Sequence, residues 1–131
     1  MDAGRDRSIV TQAITRHFAD VRAVDGVDLE IGSGRIFGFL GPNGSGKSTM
    51  VKMLTTILAP TEGSARVGGL DVTADQAEVR SRIGVALQEV GLDSLMTARE
   101  MLVLQSRLFS ADSTAARSKT ERLLRTVGLH E

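Results

Sequence analysis

From Gly41 to Ser48 the chain reads "GPNGSGKS", with two glycines, a lysine and a hydroxyl at the spacing G-x-x-x-x-G-K-[S/T]. Those residue types at those intervals suit a chain of phosphates. Glycine lets the backbone turn where a side chain would clash, and lets it come close to a ligand. Successive N–H groups then point inward as a nest for anionic oxygens. The first turn of a following helix adds unpaired N–H groups and the positive end of its dipole. Lys47 supplies a point charge for the outer phosphates, Ser48 a hydroxyl for Mg²⁺, and Thr49 a hydroxyl for an inner phosphate. On this reading Gly41, Pro42, Asn43, Gly44, Ser45, Gly46, Lys47, Ser48 and Thr49 together form the phosphate-binding stretch.

Such a loop has meaning only between a strand and a helix. "IFGFL", Ile36–Leu40, is an apolar run of strand length that reads as a buried strand. After the loop, Met50, Met53, Leu54, Ile57 and Leu58 recur at i, i+3, i+4, i+7 and i+8, one stripe of a helix that Pro60 stops. Upstream, Val27, Leu29 and Ile31 alternate with Asp28 and Glu30, a half-buried strand, and Gly32-Ser33-Gly34 turns the chain. "SARV" reads as a short strand before Gly68-Gly69, and "IGVALQ", Ile83–Gln88, as another buried strand. Thr73 with Gln76, and Thr97 with Glu100, have capping-box spacing. The first predicts a short helix to about Arg82, the second a helix through about Phe109. A last helix starts near Asp112 or Ser113 and ends before Gly128. Antiparallel hairpins come first, strands then alternate with helices, and helices alone follow. The fold class expected is α/β with a parallel element.

Composition narrows the partners. The 131 residues suit one domain. Lys plus Arg balances Asp plus Glu at 16 each, which gives no support to a nucleic-acid or membrane-surface role. There are no cysteines, so no disulfide framework and no thiolate metal site. "MDAGRDRS" is polar with no apolar segment behind it, and no apolar run approaches the length of a membrane span. A cytoplasmic chain is expected, with no direct membrane insertion and no nucleic acid, reaching the inner face of the cell membrane only through a partner.

A phosphate loop alone does not choose among a transporter ATPase, a GTPase, a kinase and a helicase. Its wording here, "GPNGSGKST", resembles the loop of ATP-binding cassette (ABC) ATPases, and two other stretches agree in order and spacing. "ITRHFADVRAVDGVDLEI", Ile14–Ile31, is similar to the cassette's N-terminal hairpin, where an aromatic residue stacks on adenine; Phe18 stands at that place. "RIGVALQEVGLDSLMTAREML", Arg82–Leu102, is similar to the region of the family's Q-loop, and Gln88 matches the glutamine that reaches Mg²⁺ and water near the γ-phosphate. The wording looks most like drug-resistance exporters of the daunorubicin type. Plainer roles stand beside these: core packing for Phe18, a strand-end polar residue for Gln88, a surface residue for His17. Ala19 and Ala98 stand where the family has glycine, and Arg35 where it has glutamate.

The resemblance implies a P-loop NTPase core at about 36–88, an N-terminal antiparallel β subdomain at about 8–35, and the start of a helical subdomain at 89–131. It implies ATP and Mg²⁺, with Lys47 and Gln88 catalytic and Ser48 and Gln88 on the metal. It also implies a transmembrane permease docked through about 89–99, and a homodimer of the intact ATPase. The family continues with an "LSGGQ"-like signature, a Walker B strand ending in Asp-Glu and a switch histidine. The sequence ends at "VGLHE", before the place of that signature. From Gln88 onward no four apolar residues precede an Asp or Glu, and His130 lacks the strand a switch histidine follows. Phosphoryl transfer needs a positioned water and a full set of metal ligands. The expectation is therefore the N-terminal portion of an exporter ATPase, binding Mg-ATP weakly by itself without significant turnover. The alternative is a stand-alone, non-catalytic nucleotide-binding or interaction module.

Overall fold

The structure, a computed structural model, describes residues 7–86, 94–109 and 112–129. They fall into two compact units divided after Val85. The first holds a four-stranded sheet of order β2-β1-β3-β4. Its strands are β1 (Arg7–Phe18), β2 (Val21–Gly32), β3 (Glu62–Val67) and β4 (Leu70–Asp71). Every pairing is antiparallel. Helix α1 (Lys47–Leu54) separates β2 from β3, and α2 (Gln76–Arg82) follows β4.

β1 has a partner on both sides, and it is irregular. Its register shifts between Thr11 and Ile14 against β2. Ala13 there has φ 45°, the left-handed region. A bulge takes backbone groups off the ladder, and side chains satisfy them. Asp28 Oδ1 accepts from the Ala13 N–H at 2.6 Å. Thr11 Oγ1 donates to the Val27 carbonyl at 2.9 Å, and Thr15 Oγ1 accepts from the Gly26 N–H at 2.9 Å. Both threonines are buried, so these bonds also settle their own hydroxyls. Across from the bulge a Cβ on Gly63 would lie 2.2 Å from the Ala13 carbonyl oxygen, and Gly63 has φ 75°. Only glycine closes β3 onto β1 at that point.

Ile14, Val24 and Ala65 from three strands meet Met50, Met53 and Leu54 of α1 and Val72 after β4 in one core. Burying a side chain as large as Met53, which is fully enclosed, is worth about 1.5–3 kcal/mol. α1 ends at Leu54, earlier than its apolar stripe predicts. Thr56 takes φ 62°. Its N–H bonds the Met53 carbonyl at 3.1 Å, and the Ile57 N–H bonds the Lys52 carbonyl at 2.9 Å. That is a Schellman closure with threonine where glycine is usual, and it leaves Ile57 exposed while Leu58 packs on the core.

Other expectations need correcting. "IFGFL" forms no strand. Phe39 packs on the core, yet Ile36 and Leu40 are fully exposed. A buried strand needs ladder partners on both edges, and no described residue pairs with this run. Ile83–Ala86 is likewise unpaired, and 87–88 lie outside the described residues. The described sheet therefore has no parallel pairing, and α1 packs on it. Thr73 and Gln76 form no capping box: α2 begins at Gln76 after Asp75, with no side-chain cap bond. Asp71 holds that turn instead. Its Oδ1 accepts from the Thr73 hydroxyl at 2.5 Å and from the Thr73 and Ala74 N–H groups at 2.8 and 3.1 Å. The Thr73 hydroxyl foremost, then those amides, hold the Asp71 carboxyl below its ordinary range.

The second unit contains α3 (Ala98–Phe109) and α4 (Ser113–Thr126), packed on each other. Here the caps match expectation. Thr97 and Glu100 form the reciprocal box: Glu100 Oε2 accepts from the Thr97 N–H and hydroxyl, each at 2.8 Å, and Thr97 Oγ1 accepts from the Glu100 N–H at 3.2 Å. Asp112 caps α4 by accepting from the Thr114 N–H at 2.9 Å. At the other end Gly128 has φ 74°, and the Gly128 and Leu129 N–H groups bond the Arg125 and Leu124 carbonyls at 3.2 and 2.8 Å. Ala116, Thr120 and Leu124, four residues apart, are the buried stripe of α4. Arg99 and Glu121 pair between the two helices.

Two outcomes follow from these local geometries. Ala19, in the tight turn between β1 and β2, has φ 46°. Left-handed strain of about 1–2 kcal/mol, set against the greater unfolded-state entropy of glycine, about 0.4–1 kcal/mol, leaves Ala19→Gly more stable by about 0.5–1 kcal/mol. A urea midpoint that does not rise would contradict this. The Glu100 carboxyl is held below its ordinary value, chiefly by the Thr97 N–H and then its hydroxyl. A depressed carboxylate stabilises above its unfolded pKa, and that stability fades as pH falls through the folded value. Helicity read by circular dichroism should thus decline below about pH 4, and Glu100→Gln should flatten that part of the profile.

Candidate functional site

The phosphate-loop residues sit together at the start of α1. Gly44 and Gly46 have φ 82° and 85°, and Gly46 is the residue preceding the helix. Two left-handed glycines turn the chain so that helical N–H groups face the loop. Met50 is the first whose N–H finds a helical acceptor, the Gly46 carbonyl at 2.8 Å. The N–H groups of Lys47, Ser48 and Thr49 precede it and have no acceptor within the helix. No acidic side chain occupies the first turn, so nothing there opposes an anion.

Lys47 folds back over the loop. Its Nζ donates to the Gly41 and Pro42 carbonyls at 2.7 and 2.6 Å and to Ser45 Oγ at 3.4 Å. The ammonium is thus held at the loop by weak neutral acceptors, which anionic oxygens would replace with stronger charge-assisted bonds. Ser45 closes the turn, its N–H reaching the Pro42 carbonyl at 3.3 Å. A Cβ on Gly41 would come within 2.9 Å of Ser45 Oγ. Ser48 is exposed and Thr49 is half-buried.

Gly46 also seats the loop on the sheet. A Cβ there would lie 2.3 Å from the Ala23 carbonyl oxygen and 3.2 Å from a Val24 methyl. Between β2 and the loop lies a pocket of about 390 Å³, with Ala23, Val24 and Asp25 on one side and Gly44, Gly46 and Lys47 on the other. Asp25 accepts from Arg22 Nη1 at 2.9 Å, which holds that acid beside the pocket in a pair. The cradle fits a phosphate chain: N–H groups without helical acceptors, a lysine and two left-handed glycines stand together there.

Phe18 belongs to the same unit, at the end of β1, where it pairs with Val21 of β2. It does not line the loop's pocket. Phe18 is 45% exposed and is not part of the buried core. Gln88 lies outside the described residues. Among the described residues no group of His, Asp or Glu side chains is placed to hold a metal ion.

Residues 24–131 match the family model described as ABC transporter. The chain belongs to that family. It is 41% identical over 129 residues to the daunorubicin/doxorubicin resistance ATP-binding protein DrrA of Streptomyces peucetius, covering 98% of this chain and 39% of that protein. It thus spans about two fifths of the length of such relatives. A dimeric structure of MJ0796, a bacterial ABC transporter cassette, superposes with a TM-score of 0.76 at 26% identity, over 89% of this chain and 56% of that one. The same cassette in a post-hydrolysis state with ADP and Pi gives 0.75 at 24%, over the same shares of the two chains. No described helix is long and apolar enough to cross a membrane.

The sequence reading missed two contacts. One is the Ala23 carbonyl under Gly46, for which the sequence carries no signal, since any residue supplies a carbonyl. The other is Arg16, whose guanidinium carbon stands 4.8 Å from the Phe18 ring centroid. Its signal was available: an arginine two residues from the aromatic on one strand.

The two loop glycines should separate in a stability measurement. Gly46→Ala meets both the Ala23 carbonyl and a left-handed φ, and is expected to cost about 2–4 kcal/mol. Gly44→Ala has open space around it, so only the conformational strain of about 1–2 kcal/mol applies. Equal urea midpoints for the two variants would refute the seating role of Gly46.

Proposed function

We propose that this chain binds ATP with Mg²⁺ through the Gly41–Thr49 loop, as the nucleotide-binding part of an ABC exporter subunit. The observation that carries the reading is the loop itself: left-handed glycines, three helix N–H groups without helical acceptors, and Lys47 held by neutral carbonyls. In this proposal Lys47 leaves the Gly41 and Pro42 carbonyls to meet the outer phosphate oxygens. The N–H groups of the first helical turn hold the inner ones, and Thr49 adds a hydroxyl. Ser48 and Gln88 would hold the metal, which neutralises phosphate charge when bound. Phe18, exposed at the hairpin end, would offer a stacking surface to the base.

The whole protein would couple ATP binding and hydrolysis to export of a drug or other small molecule. The Streptomyces peucetius relative, a daunorubicin/doxorubicin resistance ATP-binding protein, supports that reading. We place the permease contact at about 89–99 and expect two ATPase copies to act together, as the MJ0796 cassette is dimeric. The subdomain bounds proposed are about 8–35, 36–88 and 89–131.

The test is titration of the chain with a fluorescent ATP analogue and Mg²⁺. Lys47→Ala removes a charged hydrogen-bond donor worth about 1.5–3 kcal/mol, so affinity should fall by about tenfold or more. Binding that ignores Lys47→Ala would overturn the assignment.

A further inference from the structure

β1 carries an arrangement that the phosphate loop does not account for. The Arg16 guanidinium lies over the Phe18 ring, 4.8 Å from its centroid. Its Nη1 donates to the Ala59 carbonyl at 2.9 Å. Its Nε is buried and has no hydrogen-bond partner among the described residues. A buried donor left unmatched is a cost, so the guanidinium stays where it is for the ring and the carbonyl, not for a full set of acceptors. Phe18 as a residue remains 45% exposed.

An exposed phenylalanine at a hairpin end moves among staggered rotamers. Fixing it at the moment of binding lowers affinity. A cation stacked on one face limits that motion beforehand. Arg16 is itself anchored, because Ala59 belongs to the segment that follows α1. That segment is fastened to β1 twice more. The Thr61 N–H donates to the Thr15 carbonyl at 2.8 Å, and Thr61 Oγ1 accepts from the His17 N–H at 3.2 Å.

We propose that Arg16 is a positioning residue for nucleotide binding: it presets the Phe18 ring for the base and ties that ring to the segment leaving the phosphate-loop helix. The proposal rests on the reading of Phe18 as the base platform. It predicts that Arg16 matters for the base and not for the phosphates.

Calorimetric titrations with Mg-ATP and with Mg-triphosphate, which has no base, separate the two. Arg16→Ala should weaken ATP by about three- to tenfold, the effect of losing one pre-ordered side chain, and leave triphosphate within about twofold. Arg16→Met keeps the stem and packing without the cation and should behave as Arg16→Ala does, while Arg16→Lys should recover part of the affinity. Adding Arg16→Ala to Phe18→Ala should cost nothing further for ATP, because the two act as one unit. Equal losses for ATP and triphosphate, or an additive loss in the double variant, would overturn the positioning role. The underlying readings fail separately. Phe18→Ala with unchanged ATP affinity removes the base platform and the proposal with it. Lys47→Ala without effect on either ligand removes the phosphate site.

Discussion

The site depends on one close approach, the backbone of Gly46 against the Ala23 carbonyl. No side chain fits there, since even a Cβ would lie 2.3 Å from that oxygen. The contact decides where the loop lies on β2, and hence where the helix begins. Lys47, Ser48 and Thr49 follow directly, so their N–H groups are aimed by the same seat. The left-handed φ of 85° at Gly46 is the conformational half of the same requirement. A residue that satisfied one half and not the other would misplace the anion site or lift the loop off the sheet.

A loop seated this closely on β2 needs that strand held firmly, and β1, its ladder partner, holds it in an unusual way. The bulge at Ala13 would leave orphaned polar groups inside the sheet. Thr11, Thr15 and Asp28 take them up, so the irregular strand has its ladder bonds replaced by side-chain ones. Three further bonds then latch the segment 59–61 onto 15–17. Both ends of α1 are thereby referred to the same pair of strands, its start through Gly46 on β2 and the chain beyond its end through Ala59 and Thr61 on β1.

The legible parts of the sequence were those whose chemistry is local. The glycine spacing placed the loop directly before a helix because each left-handed glycine turns its own backbone. The Thr97–Glu100 box and the Gly128 closure were legible for the same reason: cap and acceptor lie within one turn. What failed was non-local. "IFGFL" has the composition of a buried strand, but a strand exists only where a partner offers ladder groups, and no described residue does. The Thr73–Gln76 spacing was equally good on paper, yet Asp71 captured the Thr73 hydroxyl and two amides first, and a carboxylate outcompetes a glutamine for those donors. α1 stopped at Leu54 although its stripe ran to Leu58, because the left-handed turn at Thr56 lets Leu58 reach the core without further helix. Thr56 Oγ1 also accepts from Arg80 Nε at 2.7 Å, a partner 24 residues away that no local pattern announces.

The two ends of the proposed nucleotide site hang on one hairpin. Ala23 of β2 carries the phosphate loop, and Val21, two residues earlier, pairs with Phe18 of β1. Their separation is therefore set by the register of β2 and not by the flexible loop. Register in a sheet with one buried face is strongly specified, because a slip of one residue turns every side chain over. In β2 such a slip would drive Val24 out of the core it shares with Ile14 and Met50. The apolar packing that fixes Val24 thus also fixes the span between Phe18 and the loop before α1. This explains why strain is tolerated at Ala19, with φ 46°, in the turn that joins the two strands. The core holds the register, so the turn has to close it and does not have to define it.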